Sequence, residues 1–172
     1  MEDGDLSAGS PCIAISANGK QIASGSIGTM IQIFDTATGE QVIALRGHVN
    51  RVRSLSFSPD GNRIVSISGG GRKSTDHTVK LWDVATGEEL ISLEGQSYEG
   101  SNITFSPDGS MIAWADSGVD PAIKLWDVAI TEEVKVLKGV GFHRPKFVTY
   151  EDGAKVVVAN GTKDTIVWDS NS

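Results

Sequence analysis

The stretch SGGGRKSTDH, from Ser68 to His77, has the residue types of a loop that holds phosphate. Backbone N–H groups of glycines can surround an oxyanion while a lysine neutralises its charge. Two details contradict this chemistry. A phosphate loop has glycine directly before its lysine, where this chain has Arg72, and a helix after it, where TVKLWD has the pattern of a strand. We therefore interpret the stretch as an extended loop between two strands.

The other chemically active residues lack the spacing of a catalytic or metal site. The three histidines are separated from Cys12 and from one another, so no metal-ligand spacing occurs. The stretch SGSIG at 24–28 lacks the first glycine of a nucleophile elbow, and no helical pattern follows it. The acidic pairs at 88–89 and 132–133 follow turns at corresponding places, which favours solvated strand starts. We therefore predict a protein that is not an enzyme and holds no metal or cofactor.

Composition fits a single intracellular domain. The chain has 172 residues, 39% of them hydrophobic, which is enough for one sizeable core. Fifteen Lys+Arg against 22 Asp+Glu give a net charge of -7, which disfavours binding to nucleic acid and to anionic membranes. The chain has one Cys, no signal-peptide pattern in MEDGDLSAGS and no apolar run long enough to span a membrane. We expect a cytoplasmic protein that binds neither nucleic acid nor membranes.

Three sequence features recur in one phase along the chain. A turn that ends in Gly occurs as SANGK, SPDGN, SPDGS and YEDGA, and the runs DTATGEQ, DVATGEE and DVAITEE also correspond. An aromatic residue followed by Asp occurs 42 to 48 residues apart, at Phe34, Trp82, Trp126 and Trp168. These features indicate four copies of one unit, at about 11–48, 49–95, 96–139 and 140–172. We expect residues 1–10, which precede them, to be disordered or partly ordered.

Each unit has the pattern of a small antiparallel sheet. In the second unit the apolar runs are VRSLSF, NRIVSIS, TVKLWD and EELISLEG, and turn residues separate them. Asp-Gly between the first two runs is a favoured hairpin connection because both residue types tolerate positive φ. One such sheet buries too little surface alone, so it must stack on its neighbours. The sequence therefore predicts an all-β fold with four blades in a radial array.

The units resemble the repeats of the WD-repeat β-propeller family over essentially the whole chain, from about Cys12 to Asp169. GH at 47–48, FSPDG at 57–61 and TVKLWDVATGEEL at 78–90 are near the family consensus. Because WD-type rings usually hold seven or eight blades, four units predict an incomplete or half ring, and the last blade lacks its outer strand. Three outcomes stay open: completion by a second copy or partner chain, completion by further blades of a longer protein, and a strained four-bladed ring.

The resemblance also implies a hydrogen-bonded set of His, Ser, Asp and Trp that ties a blade together. The second unit matches at all four positions, as His48, Ser66, Asp76 and Trp82. We expect a chain that runs from the indole N–H through Asp and imidazole to the hydroxyl, so that four polar groups are buried with partners. The second unit is therefore the expected anchor of stability.

The other units keep only part of this set. The third unit has Trp114 at the Ser position, and the first and fourth units have apolar or glycine residues at several positions. The residues that remain are Ser24 in the first unit, Asp120 and Trp126 in the third, and Trp168 in the fourth. We expect these units to have fewer buried hydrogen bonds and to be stabilised by apolar packing instead.

Function is expected in the loops, because loops of stacked blades cluster at their two ends. The resemblance implies a protein-protein interaction scaffold or sensor module, as found in signalling proteins, with an unknown protein partner. The alternative is a structural half-propeller that completes a ring with a second copy or a partner chain. The residues expected to contact a partner are Asn50, Arg51, Arg72, Lys73, His77, Tyr98, Glu99, Asp120, Phe142 and Arg144.

A group of basic residues also concentrates in the second unit of this acidic chain. It predicts either a contact with an acidic peptide or a solvated face. Its members are Arg51, Arg53, Arg63, Arg72, Lys73 and Lys80.

Overall fold

The computed structural model describes residues 12–25, 28–69, 76–94, 102–116, 122–130, 132–138, 145–150, 153–159 and 165–169. Within these residues it contains fifteen strands and no helix, and the strands form four antiparallel sheets in chain order. The prediction of an all-β fold is therefore confirmed. The number of blades in a ring stays a prediction.

Each of the first three sheets is a four-stranded meander. Sheet 1 contains β1 (Cys12–Ile15), β2 (Gln21–Gly25), β3 (Met30–Asp35) and β4 (Gln41–Arg46). Sheet 2 contains β5 (Val52–Phe57), β6 (Arg63–Ser68), β7 (Thr78–Asp83) and β8 (Glu89–Glu94). Sheet 3 contains β9 (Ile103–Phe105), β10 (Met111–Asp116), β11 (Ala122–Asp127) and β12 (Glu132–Lys138). In the described part of the chain, sheet 4 has three strands, β13 (Pro145–Tyr150), β14 (Gly153–Ala159) and β15 (Thr165–Asp169).

Tight turns join the strands at one end of each of the first three sheets, which we call the turn end. In sheet 2 the turn between β5 and β6 is held by Asp60, whose carboxylate accepts hydrogen bonds from the Ser58 hydroxyl and the Asn62 N–H. Gly61 closes this turn with a φ of 74°, a conformation that glycine adopts without strain. The Val84 N–H donates to the Asn62 carbonyl at 2.9 Å and so links this turn to the one after β7.

Successive sheets pack face to face, and their first strands contact one another. Sheet 1 contributes Ile31, Ile33 and Leu45 to a core that it shares with Ile64 and Trp82 of sheet 2. The other face of sheet 2 forms a second core with sheet 3, made by Val65, Ile67, Val79, Leu81, Ile103, Phe105, Ile112, Trp114, Trp126 and Val128. Phe147 of sheet 4 packs on a third cluster in sheet 3. Sheet 2 is therefore buried on both faces.

A register shift recurs in the outer strand pair of the first three sheets. It lies between Ile33 and Phe34 in sheet 1, and between Leu81 and Trp82 in sheet 2. The equivalent shift in sheet 3 falls between Leu125 and Trp126. Such a bulge bends and twists a strand locally, so the aromatic position of each unit lies at a bend.

Candidate functional site

A chain of hydrogen bonds crosses the buried interior of sheet 2. The Trp82 indole N–H donates to Ser66 Oγ at 2.8 Å, and Ser66 Oγ lies 2.8 Å from His48 Nε2. His48 Nδ1 lies 3.2 Å from Asp76 Oδ2. The structure thus brings together the four matching residues of the second unit, which we call the His48 network. The predicted order is wrong, because the indole N–H meets the serine hydroxyl and the carboxylate lies at the far end of the chain.

A neutral imidazole with its proton on Nδ1 satisfies every member of the His48 network. The Nδ1–H then donates to Asp76, and Nε2 accepts from the Ser66 hydroxyl. Burial lowers the pKa of the His48 imidazole, and the carboxylate of Asp76 opposes this effect only in part. The Trp82 ring lies edge-on to the imidazole, with centroids 5.8 Å apart.

Asp76 connects the His48 network to the chain segment before β5. Its Oδ2 accepts hydrogen bonds from the Val49 N–H at 2.8 Å and from the Asn50 N–H at 3.3 Å. Burial alone would raise the pKa of Asp76, but hydrogen bonds from the Thr78 hydroxyl and the Val49 N–H lower it to about 2. The Ser68 hydroxyl donates to the Arg51 carbonyl at 3.1 Å. The segment 47–51 is therefore fastened at the end of sheet 2 opposite the turn end, which we call the loop end.

Three of the ten residues predicted to contact a partner lie in the part of the chain that the structure describes. Asn50, Arg51 and His77 lie at the loop end of sheet 2 and are each partly exposed. The seven remaining positions lie outside the described residues: Arg72, Lys73, Tyr98, Glu99, Asp120, Phe142 and Arg144.

The basic group of the second unit does not form one surface patch. Lys80 is buried, and its ammonium donates to Glu89 at 2.8 Å and to the Ser92 hydroxyl at 2.9 Å. The Arg53 guanidinium donates to the Gly69 carbonyl at 2.7 Å. The prediction of a shared basic face is therefore wrong for Lys80, because its strand lies between two packed sheets.

The partial sets differ from the His48 network in chemistry. Ser24 and Trp114 hold the position of Ser66 in their own sheets. Ser24 lies opposite Gln32 and Trp114 opposite Lys124, as Ser66 lies opposite Lys80. Trp114 is buried, and its indole Nε1 has no hydrogen-bond acceptor among the described residues. Trp126 is buried between sheets 2 and 3. Trp168 lies on β15 opposite Val156, and Asp120 lies outside the described residues.

A second surface feature lies at the turn end, where sequence reasoning predicted no contacts. An open cavity of about 310 Å³ is lined by Ile15, Phe57, Phe105, Pro59 and Pro107, with the exposed Lys146 beside them. It forms because the first strands of all four sheets converge there. The recurring FSPDG runs are the sequence signal that could have located it.

The described residues hold no group of three or more His, Cys, Asp or Glu arranged to bind a metal ion. Over the same part of the chain, no helix is long and apolar enough to cross a membrane.

Stacked antiparallel meanders with a buried His, Ser, Asp and Trp network define an all-β repeat protein. Residues 39–83, which contain one such unit, match the family described as WD domain, G-beta repeat. The predicted WD-type repeat is therefore confirmed for this segment. The matched segment begins before β4 of sheet 1 and ends with β7 of sheet 2, so the sequence repeat is offset from the sheets by one strand.

Several curated proteins are similar to this chain over 49 to 61 residues. A WD repeat-containing protein of Schistosoma mansoni is 43% identical over 56 residues, which are 33% of this chain and 18% of that protein. WD repeat-containing protein 1 of Gallus gallus is 38% identical over 61 residues, covering 34% of this chain and 10% of that protein. Nuclear distribution protein PAC1 of Mycosarcoma maydis is 41% identical over 49 residues, covering 28% and 11%. The matched part of this chain spans less than a fifth of each relative.

Proposed function

We propose that this chain is a non-enzymatic protein-interaction module of WD-repeat type that binds an intracellular protein partner at its loop end. The observation that supports this most directly is the fastening of segment 47–51 by the carboxylate of Asp76 and the hydroxyl of Ser68. A loop that is already ordered loses little conformational entropy when a partner binds. Asn50, Arg51 and His77 are partly exposed beside this fixed backbone.

The test is capture by a photo-crosslinking amino acid at position 50, with the same amino acid at Lys20 as the matched control. Lys20 is exposed at the turn end of sheet 1, so it samples the opposite end of the stacked sheets. We expect a protein crosslinked from position 50 and absent from position 20.

The captured protein is then purified and its affinity measured by calorimetry. Asn50→Ala combined with His77→Ala should weaken binding about tenfold or more, while Lys20→Ala leaves it unchanged. Lys146→Glu tests the cavity at the turn end. If Lys146→Glu abolishes binding and the loop-end variant binds like the wild type, the partner binds at the cavity. The loop-end assignment is then wrong.

Self-assembly into a ring is the second candidate function, and one observation favours it. Ile13 and Ile15 on β1 are 62% and 61% exposed, although β1 is the first strand of a sheet that packs on its neighbour. Exposed apolar residues on the same face of a strand are typical of a surface that binds another protein surface.

A further inference from the structure

Sheets 2 and 3 each have one face directed to the preceding sheet and one directed to the following sheet, and register shows the equivalent positions in sheet 1. Register shows the pattern on the face toward the preceding sheet, where Ile22 lies opposite Phe34, Ile64 opposite Trp82, and Ile112 opposite Trp126. On the face toward the following sheet, register places Ala23 opposite Ile33, Val65 opposite Leu81, and Ala113 opposite Leu125. The two faces thus have a repeating composition, and each contact joins one kind of face to the other kind.

In sheet 1, the face equivalent to the one that sheets 2 and 3 direct to a preceding sheet is uncovered within the described residues. Ile13 and Ile15 precede the turn after β1 as Leu55 and Phe57 precede the turn after β5. The isoleucines are 62% and 61% exposed, whereas Leu55 and Phe57 are 6% and 7% exposed because sheet 1 covers them. Further along the same face of sheet 1, register places Ile22 beside Phe34, and both side chains are only half-buried. This face is built to receive a sheet, and within the described residues no sheet covers it.

Sheet 4 offers the complementary kind of face. Register places Val157 opposite Val167 on β14 and β15, at the positions that Ala23 and Ile33 hold on β2 and β3. In sheet 1 that pair belongs to the core shared with sheet 2. The valine positions therefore match the surface that already packs against the Ile64 and Trp82 face.

We infer that the uncovered face of sheet 1, with Ile13, Ile15, Ile22 and Phe34, binds the Val157 and Val167 face of sheet 4 in a second copy of this chain. This deepens the second candidate function and rests on it. Two copies make two identical contacts, and a two-fold axis closes eight sheets into one ring. Each contact repeats the way in which sheet 1 covers sheet 2.

The first experiment measures mass by sedimentation equilibrium on the whole chain. We expect a species of twice the 18.2 kDa of the chain, with dissociation on dilution. Ile13→Glu combined with Ile15→Glu should raise the dissociation constant about a hundredfold or more, because both charges would be buried at the contact. Val49→Glu is the matched control, since Val49 is an exposed aliphatic residue at the loop end and lies outside this face.

The second experiment uses complementation to separate a lost contact from a lost fold. Val157→Glu combined with Val167→Glu should also give a monomer. When this variant is mixed with the Ile13→Glu and Ile15→Glu variant, one of the two contacts joins two unchanged faces. The mixture should therefore form a heterodimer that neither variant forms alone.

The outcomes distinguish the inference from the function on which it rests. A wild-type chain that stays monomeric up to about 100 µM overturns both self-assembly and the face assignment, and leaves partner binding at the loop end standing. A dimer that persists in the Ile13→Glu and Ile15→Glu variant overturns the face assignment alone. Variants that are folded by circular dichroism and fail to complement each other overturn the pairing of sheet 1 with sheet 4.

Discussion

Ser66 is the residue that joins the two halves of the His48 network. Its hydroxyl oxygen accepts from Trp82 and its proton goes to His48 Nε2, and the residue is completely buried. Ser66→Ala leaves an indole N–H and an imidazole nitrogen buried without partners. Because an unsatisfied buried group costs about 1–3 kcal/mol, we expect a loss of about 2–4 kcal/mol in the free energy of unfolding, measured by urea denaturation.

Two tryptophans supply a matched comparison for the indole hydrogen bond. Trp82→Phe and Trp114→Phe remove the same atoms from buried sites, but only the Trp82 N–H has an acceptor among the described residues. We expect Trp82→Phe to cost about 1–2 kcal/mol more than Trp114→Phe in the same urea experiment. Equal costs would show that the hydrogen bond to Ser66 contributes nothing to stability.

The pH dependence of stability should come from both ends of the His48 network. Burial lowers the pKa of His48 in the folded chain, so the unfolded chain binds this proton more readily. The stabilisation is complete above the ordinary imidazole pKa of about 6.5 and is lost as the pH falls below it. The pKa of Asp76 is about 2 in the folded chain, so its contribution is lost further down, between about pH 4 and pH 2.

Thermal unfolding between pH 7 and pH 5 measures the histidine contribution. The charged groups that act on His48 are Asp76, Lys80 and Glu89, and Lys80 and Glu89 are paired with each other. We expect the melting temperature of the wild-type chain to fall over this range, and the fall to be much smaller in His48→Asn. A slope that survives in His48→Asn would contradict the assignment.

The residue types of the network could be predicted from the sequence, but their order could not. The resemblance to WD-type repeats implies that His48, Ser66, Asp76 and Trp82 lie near one another. It does not decide which oxygen meets the indole, because that depends on side-chain directions across two strands and a loop. Trp114 illustrates the same limit. The sequence shows that it stands at the serine-equivalent position, but not that its indole N–H has no acceptor among the described residues.

Among the elements, the turns after the third strands are the best comparison of one repeat with another. Asp35 and Asp83 begin equivalent turns, and hydrogen bonds from backbone N–H groups, led by those of Thr38 and Thr86, lower the pKa of each carboxyl. Gly39 and Gly87 close the turns with φ values of 72° and 75°. The turns therefore differ mainly in what surrounds them.

Alanine at these two glycines should separate backbone strain from contact between sheets. Both substitutions impose a positive φ on a residue with a side chain, which costs about 1–3 kcal/mol. A Cβ at Gly87 would also lie 2.8 Å from Ile43 Cδ1 of sheet 1, whereas a Cβ at Gly39 meets nothing within 4 Å. We expect Gly87→Ala to lower the free energy of unfolding by about 1 kcal/mol more than Gly39→Ala. The same loss at both positions would mean that Ile43 moves aside freely.

Strands and tight turns were predictable because their signals are local. Alternating apolar residues and Asp-Gly turns located β5, β6, β7 and β8 to within one or two residues. The bulges before the aromatic residues and the cavity at the turn end were not predicted. Both depend on how strands twist and converge, which a pattern along one strand does not contain.

For the whole molecule, the position of a sheet in the stack should set its stability. Within the part of the chain that the structure describes, sheet 2 is covered on both faces and contains the His48 network, whereas sheet 1 is covered on one face. We expect amide hydrogen exchange to be at least about tenfold slower in β6 and β7 than in β2 and β3, measured by mass spectrometry at a concentration at which the chain is monomeric. Equal protection in the two strand pairs would indicate that all sheets unfold together.

Burial in this molecule is a property of the stack and could not be read from one repeat. Ile13 and Ile15 hold the same positions in β1 as Leu55 and Phe57 hold in β5, so the repeat pattern alone does not distinguish the two pairs. Their exposures differ about tenfold because a sheet covers Leu55 and Phe57, whereas within the described residues no sheet covers Ile13 and Ile15.

The offset between the sequence repeat and the sheets has a genetic consequence. The matched unit 39–83 carries the outer strand of one sheet and the first three strands of the next. A tandem duplication of this segment would insert a complete new sheet, because each copy would supply its neighbour with the missing strand. An in-frame deletion of the segment would remove one sheet and rejoin β3 to β8 as a new outer pair. Changes in the number of sheets can therefore arise by recombination without leaving a strand unpaired in between.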